Sequence, residues 1–276
     1  MCRSVYVQTL QTQHLRAIYD SIGVVFYKTK TNQEGSGPRD PRHLYANPFS
    51  PSTCWVTALG VYLVRSSSAQ PGPLFPGSDP KLRFGKTLGK ILKNDGVANI
   101  YGTHSVRKGV AAFACGGSTG GPSIVSGCFW CGWSMGGVQD RYFRYEAAGD
   151  QFLGRVVAGL PDNDSMFASL PPHFRNNSGS SITSCLSTMF PGLVGELILS
   201  DILRRCLASL VYHSEVLVDT LPSSHPLLST LIFTNPIVLN DLRSKLVVGG
   251  SQRMQPSGIP PYIELCRKLD NQQKSI

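Results

Sequence analysis

The chain has 276 residues, enough for a substantial hydrophobic core in one large domain or two. Lys and Arg number 26 against 17 Asp and Glu, a net charge of +9, and charged residues make up only 16% of the chain, so the surplus of cations points to a polyanionic partner, nucleic acid ahead of a membrane surface. No apolar run is long enough for a transmembrane helix, no apolar stretch behind basic residues marks a secretory signal, and the eight cysteines read as reduced thiols rather than a disulfide framework.

Residues 4–14 read as a helix with Val7 and Leu10 on its apolar side. "IGVVFYK" then reads as a strand entering a polar turn, and "RHLYANPF" as its returning partner. An apolar helix, "TCWVTALGVYLV", follows Ser52, and "SSSAQPGPLFPGS" is a loop dense in Ser, Pro and Gly. Asp79-Pro80 is an N-cap and first-turn pair for the helix "KLRFGKTLGKILKN".

That helix is two-faced. Phe84, Leu88, Ile91 and Leu92 fall on one side at helical spacing, while Arg83, Lys86, Lys90 and Lys93 fall on the other. Such a cationic stripe is either a solvated face or a track for phosphates. "GTHSVRKGVAAFAC" is the next helix, with Val106, Val110 and Phe113 as its apolar positions. The glycine-rich "GGSTGGPS" lacks the G-K-[ST] of a phosphate loop and reads as a helix connection. A short helix through Trp130, a helix carrying Tyr142 and "GDQFLGRVVAGLP" complete the first 161 residues. Beyond Pro161, "RNNSGSSITS" reads as a linker, and the tail carries one apolar helix, "GELILSDILRRCLASLVYH". Cys128-x-x-Cys131 is half of a zinc pattern without a second pair, so packed thiols beside Trp133 are expected and no metal.

His104 and Arg107 sit at i, i+3 near a helix N-terminus, where an imidazole, a guanidinium fork and free backbone N–H groups suit a phosphate. Trp133 precedes Tyr142 by nine residues, Lys28 and Lys30 lie at the hairpin tip, and Arg3 begins the first helix. In order this is Arg, Lys, His-x-x-Arg, Trp, Tyr. The set resembles the catalytic signature of the tyrosine recombinases, the DNA strand-exchange enzymes of the phage-integrase type. "HSVRKG", "GGPSI", "GWSMGGVQDRYFRYEAAGDQFLGR", "LPPHF" and "GIPPY" are similar to the crypton-type recombinases of eukaryotic transposons, as are "KTKTNQEG" and "HLYANPFSPSTC" near the hairpin.

The resemblance implies a mainly α fold with a small antiparallel β-sheet, the DNA breaking-rejoining fold. It implies a catalytic domain over residues 1–161, truncated before Arg3 and lacking a DNA-clamp domain, and a mostly helical extension over 162–276. It casts Tyr142 as nucleophile, Lys30 or alternatively Lys28 as general acid, and Arg3, His104, Arg107 and Trp133 as phosphate ligands, with Tyr145 a packing residue. Arg83, Lys86, Lys90, Lys93, Lys28, Lys108 and Arg141 are the expected DNA-contacting cations. The implied partner is double-stranded DNA, with self-association on it, no cofactor and a nuclear location. Two other functions share these residues: a type IB topoisomerase-like enzyme, and a DNA-binding remnant that no longer turns over.

Overall fold

The computed structural model describes residues 4–27, 40–66, 70–97, 101–137, 145–176, 179–249 and 254–273. The side chains of Ser4 and Val5 lie outside that description, as do Arg3, Lys28, Lys30, Arg141 and Tyr142. Within these residues the protein is mainly helical with a small antiparallel sheet.

The sheet is a three-stranded meander, β1 (Leu15–Ile18), β2 (Ser21–Val25) and β3 (Pro41–Leu44), with β2 in the centre. Arg16 pairs with Gly23, and Gly23 with His43. The strand expected over "IGVVFYK" is β2, buried along most of its length because sheet neighbours flank both edges. The helix expected over residues 4–14 is shorter. α1 (Ser4–Gln8) stops before a 3-10 turn at Thr12–His14, and β1 follows directly. Strand pairing with β2 places Leu15 in the core, an arrangement that the apolar spacing Val7, Leu10, Leu15 does not distinguish from a continuing helix.

α2 (Trp55–Arg65) runs from the loop after β3 and packs against α8 (Ser200–Tyr212), where the Thr57 and Ser209 hydroxyls meet at 2.8 Å in the interior. α8 is buried on nearly every side: Ile202, Leu203, Cys206, Leu207, Leu210 and Val211 line the larger core with Leu15, Ile22 and Val24 of the sheet. The remaining tail is not one helix plus linker. α7 (Ser180–Met189) starts inside the stretch expected to be a linker, and its Ile182, Cys185, Leu186 and Met189 enter the same core. α9 (Ser214–Thr220), α10 (Leu231–Thr234) and α11 (Pro236–Lys245) follow, with Asn235 capping α11 through bonds from the Ile237 and Val238 N–H groups. Ser, Thr and Gly density misled the linker expectation because α7 buries one apolar stripe that polar neighbours disguise.

A second, smaller core joins α4 (Thr103–Gly116), α5 (Ile124–Cys131), α6 (Ala147–Val157) and α12 (Pro261–Gln273) through Ala114, Trp130, Leu153, Phe167 and Ile263. α6 lies hard against β3. A Cβ on Gly154 would overlap the His43 carbonyl oxygen, so only glycine permits that approach.

The two cores are stitched by buried charge. Asp20 in the β1–β2 turn forms an ion pair with Arg155 of α6, both side chains fully buried. Arg155 also donates to the carbonyls of Ser257, Phe167 and Ser169 at 2.6, 2.7 and 3.2 Å, and lies over the Tyr45 ring at 4.5 Å. Ser257 donates its N–H and hydroxyl to Asp20, at 3.2 and 2.6 Å. Arg205 of α8 donates to the carbonyls of Tyr19 and Ser21 in the same turn.

α3 (Pro80–Asn94) stands apart. Asp79 caps it as expected, accepting from the Leu82 N–H at 3.0 Å, and it rests chiefly on α1. None of its residues is buried. The apolar stripe Phe84, Leu88, Ile91 and Leu92 therefore covers no core, contrary to what amphipathic spacing alone implies.

Candidate functional site

The site is built where α4 meets the C-terminal end of α5. α5 ends in a paired turn: the Gly132 N–H bonds the Phe129 carbonyl at 3.1 Å and the Trp133 N–H the Cys128 carbonyl at 2.9 Å, with Gly132 left-handed at φ +58°. This glycine-dependent C-terminal lock fixes the residue that follows it. Trp133 is accordingly held at a defined place while its side chain remains 43% exposed.

Arg107 approaches the same helix end from α4. Its side of α4, with Ala111 and Ala114, is the buried one, while Val106 and Phe113 are exposed. Two of the three apolar positions of the helix thus face outward and Val110 is half-buried, while the guanidinium takes the interior side. Arg107 donates Nη2 to the Cys131 carbonyl, and its guanidinium carbon lies 5.4 Å from the Trp133 ring centroid. A cation at a helix C-terminus meets carbonyls without intrahelical donors and the negative end of the helix dipole. The stack over an indole adds a cation–π attraction. Only 8% of Arg107 is exposed, and its Nε has no hydrogen-bond partner. The group is therefore charged, rigid and incompletely satisfied.

His104 lies one turn earlier on α4 and is exposed, as is Lys108. Of the six residues in the sequence signature, the described structure places three. It brings Arg107 and Trp133 into contact and leaves His104 open on the same helix. Arg3, Lys30 and Tyr142 lie outside the described residues, together with Lys28 and Arg141.

Tyr145, the neighbouring tyrosine, is described. Its hydroxyl donates to the Pro41 carbonyl at 3.1 Å, and the Arg42 guanidinium sits 5.7 Å from its ring. Burial, then the nearby Asp150 carboxylate, pushes its pKa well above the ordinary tyrosine range, which opposes phenolate formation.

Residues the sequence did not single out brace the site from behind. Arg42 of β3 donates to the Phe129 carbonyl at 2.8 Å, so α5 has a second cation at its C-terminal end, and it pairs with Asp150 of α6 at 3.4 Å. Asp150 also accepts from the His43 N–H at 2.9 Å. Burial raises the Asp150 pKa to about 6 against the pull of Arg42, and burial lowers that of His43 to about 4. No local motif flags Arg42 or Asp150, since their roles arise from contacts 87 to 108 residues apart in sequence.

The α3 cations Lys86, Lys90 and Lys93 project from an exposed helix, while Arg83 reaches back to the Pro76 carbonyl at 2.6 Å. Cys131 is buried beside Arg107, with Cys128 and Cys115 half-buried; among the described residues no group of His, Cys, Asp and Glu is arranged to hold a metal ion. No described helix is long and apolar enough to cross a membrane. No protein family, curated protein or solved structure matches the chain.

Proposed function

We propose that this protein is a metal-independent tyrosine recombinase, a site-specific recombinase or transposase of the crypton-like kind that cuts and rejoins double-stranded DNA. The observation that carries the reading is the Arg107–Trp133 contact: a buried guanidinium stacked on a part-exposed indole, one helical turn from an open histidine. A guanidinium, an indole N–H and an imidazole are the kinds of donor that a scissile phosphodiester requires.

In the proposed reaction the Tyr142 hydroxyl oxygen attacks phosphorus, and its proton leaves to solvent. The phosphorus–O5′ bond breaks, and Lys30, or Lys28, protonates the departing 5′-oxygen. Arg3, Arg107, His104 and Trp133 hold the negative charge that grows on the non-bridging oxygens. Each such donor contributes on the order of 3–4 kcal/mol of transition-state stabilisation. The product is a 3′-phosphotyrosyl link, which a 5′-hydroxyl from a second strand attacks to complete exchange. Arg83, Lys86, Lys90, Lys93, Lys28, Lys108 and Arg141 are assigned to the DNA backbone, self-association to the DNA-bound state, and the nucleus to the location.

Nicked suicide duplexes of randomised sequence, incubated with the protein and denatured in SDS, test this. A covalent adduct that vanishes in Tyr142→Phe is the expected result; no adduct from the unaltered protein sinks it. Relaxation of a supercoiled plasmid without strand exchange would place the chain with type IB topoisomerase-like enzymes. One observation favours the DNA-binding remnant as second reading: an Arg107 nitrogen is already committed to the Cys131 carbonyl. Salt-sensitive DNA binding without adducts is its signature.

A further inference from the structure

Three consecutive residues of β3 reach three different segments of the chain. The Pro41 carbonyl accepts from the Tyr145 hydroxyl at 3.1 Å, and the His43 N–H donates to Asp150 of α6 at 2.9 Å. Between them, Arg42 donates Nη2 to the Phe129 carbonyl at 2.8 Å and approaches Asp150 with Nη1 at 3.4 Å. Its guanidinium carbon also lies 5.7 Å from the Tyr145 ring centroid. The strand is fixed in place, because α6 closes on the His43 carbonyl at Gly154.

The bond to Phe129 matters most. The same carbonyl accepts from the Gly132 N–H at 3.1 Å, in the turn that places Trp133, and Arg107 takes the Cys131 carbonyl two residues on. Two guanidiniums therefore act on the last turn of α5, one from α4 and one from β3. Arg107 meets Trp133 itself, whereas Arg42 links that helix end to Tyr145. Tyr142 falls between Trp133 and Tyr145 in sequence, so Arg42 touches both flanks of the segment that carries it. The stretch with Lys28 and Lys30 joins Val25 to Pro41, a pair at the end of the β2–β3 ladder and next to Arg42.

A purely structural part for Arg42 accounts for less. Asp150 keeps the His43 N–H without it, the ion pair is longer than the bond to Phe129, and 18% of the Arg42 side chain is exposed, so water can replace it in a shorter variant. We propose that Arg42 is a positioning residue of the site. It holds the Trp133 end of α5 at a fixed place relative to Tyr145, and it does so without itself touching DNA. Its effect on rate rests on the recombinase reading; its effect on Trp133 rests on the contacts alone.

Single-turnover adduct formation on the nicked duplexes and DNA affinity are measured separately for the full chain, Arg42→Gln and Arg42→Lys. Arg42→Gln is expected to form adduct on the order of 10²-fold more slowly with DNA affinity unchanged, because misplacement costs rate rather than binding. Millimolar methylguanidinium should restore part of that rate, and Arg42→Lys, which keeps a cation without the fork, should fall between. A further readout needs no turnover. The emission of Trp133, taken as the difference between each protein and its Trp133→Phe counterpart, should shift to longer wavelength in Arg42→Gln. An unchanged adduct rate, a rate that falls only as far as affinity falls, or an unshifted Trp133 emission overturns the proposal. If the unaltered protein forms no adduct, the recombinase reading fails by itself, and the Trp133 shift alone decides for or against Arg42. Circular dichroism identifies a variant that has lost its fold, in which case Arg42→Lys carries the test. Loss of the fold in both variants would make Arg42 a structural residue and overturn the proposal too.

Discussion

Asp20 and Arg155, 135 residues apart in sequence, form an ion pair from which water is wholly excluded, and Ser257 closes it from a third segment. Charges so placed are costly to separate, since either one alone would be stranded in the interior. Asp20→Asn or Arg155→Met is expected to destabilise the protein by roughly 3–5 kcal/mol, and the double variant by clearly less than the two single losses combined. Urea unfolding of the four proteins measures this. Additive losses would show that the pair is not coupled.

The His43–Asp150 contact predicts compensation with pH. Asp150 has its folded pKa raised to about 6 from 3.8, so the folded state holds the proton more tightly and this group's contribution falls as pH rises between those values. His43 has its pKa lowered to about 4 from 6.5, so the folded state holds the proton less tightly and its contribution grows over nearly the same window. Relative to the unaltered protein, Asp150→Asn should therefore gain stability from pH 4 to 6.5. His43→Gln should lose stability over that range. Parallel pH profiles for all three in urea would refute both assignments.

Gly132 sets where Trp133 stands. Nothing lies within 4 Å of a Cβ built on Gly132, so the penalty of Gly132→Ala comes from its left-handed backbone alone, about 1–2 kcal/mol. The variant should also shift tryptophan emission, as the indole leaves the Arg107 guanidinium. Unchanged emission with lowered stability would mean that the stack survives without the glycine turn.

Arg107→Lys keeps a cation near the Cys131 carbonyl but loses the planar fork, and Trp133→Phe keeps a ring but loses the indole N–H. Both should fold, with stability lowered by far less than by breaking the Asp20 pair. Each should reduce phosphotyrosyl adduct formation on the order of 10²-fold. Full adduct yield from either would remove that side chain from the proposed site.

The chain's local chemistry announced some of this and concealed the rest. Asp79-Pro80 marked the start of α3 correctly because a cap and its first turn are contiguous. β2 was legible as an apolar run, whereas β1 was not, since its strand character comes from pairing with β2. The α4 periodicity pointed to Val106 and Phe113 as core, but Arg107 took the interior once α5 offered it an unpaired carbonyl. The same holds for Arg155 and Arg205. A buried arginine is invisible in one dimension because the carbonyls and carboxylate that neutralise it arrive from elsewhere in the chain. His104, Arg107 and Trp133 were singled out as candidates by their spacing, while Arg42 and Asp150, which brace the helices beside them, have no spacing to single them out.

Ser257 gives the tail a role during synthesis. Asp20 and Arg155 leave the ribosome long before Ser257 does, so the nascent chain carries two buried-charge positions whose third partner does not yet exist. The polar junction stays unfinished until the segment carrying Ser257 arrives. A stop codon placed just before Ser257 should therefore leave a product that chaperones hold and proteases clear, although it retains every described strand and every described helix but α12.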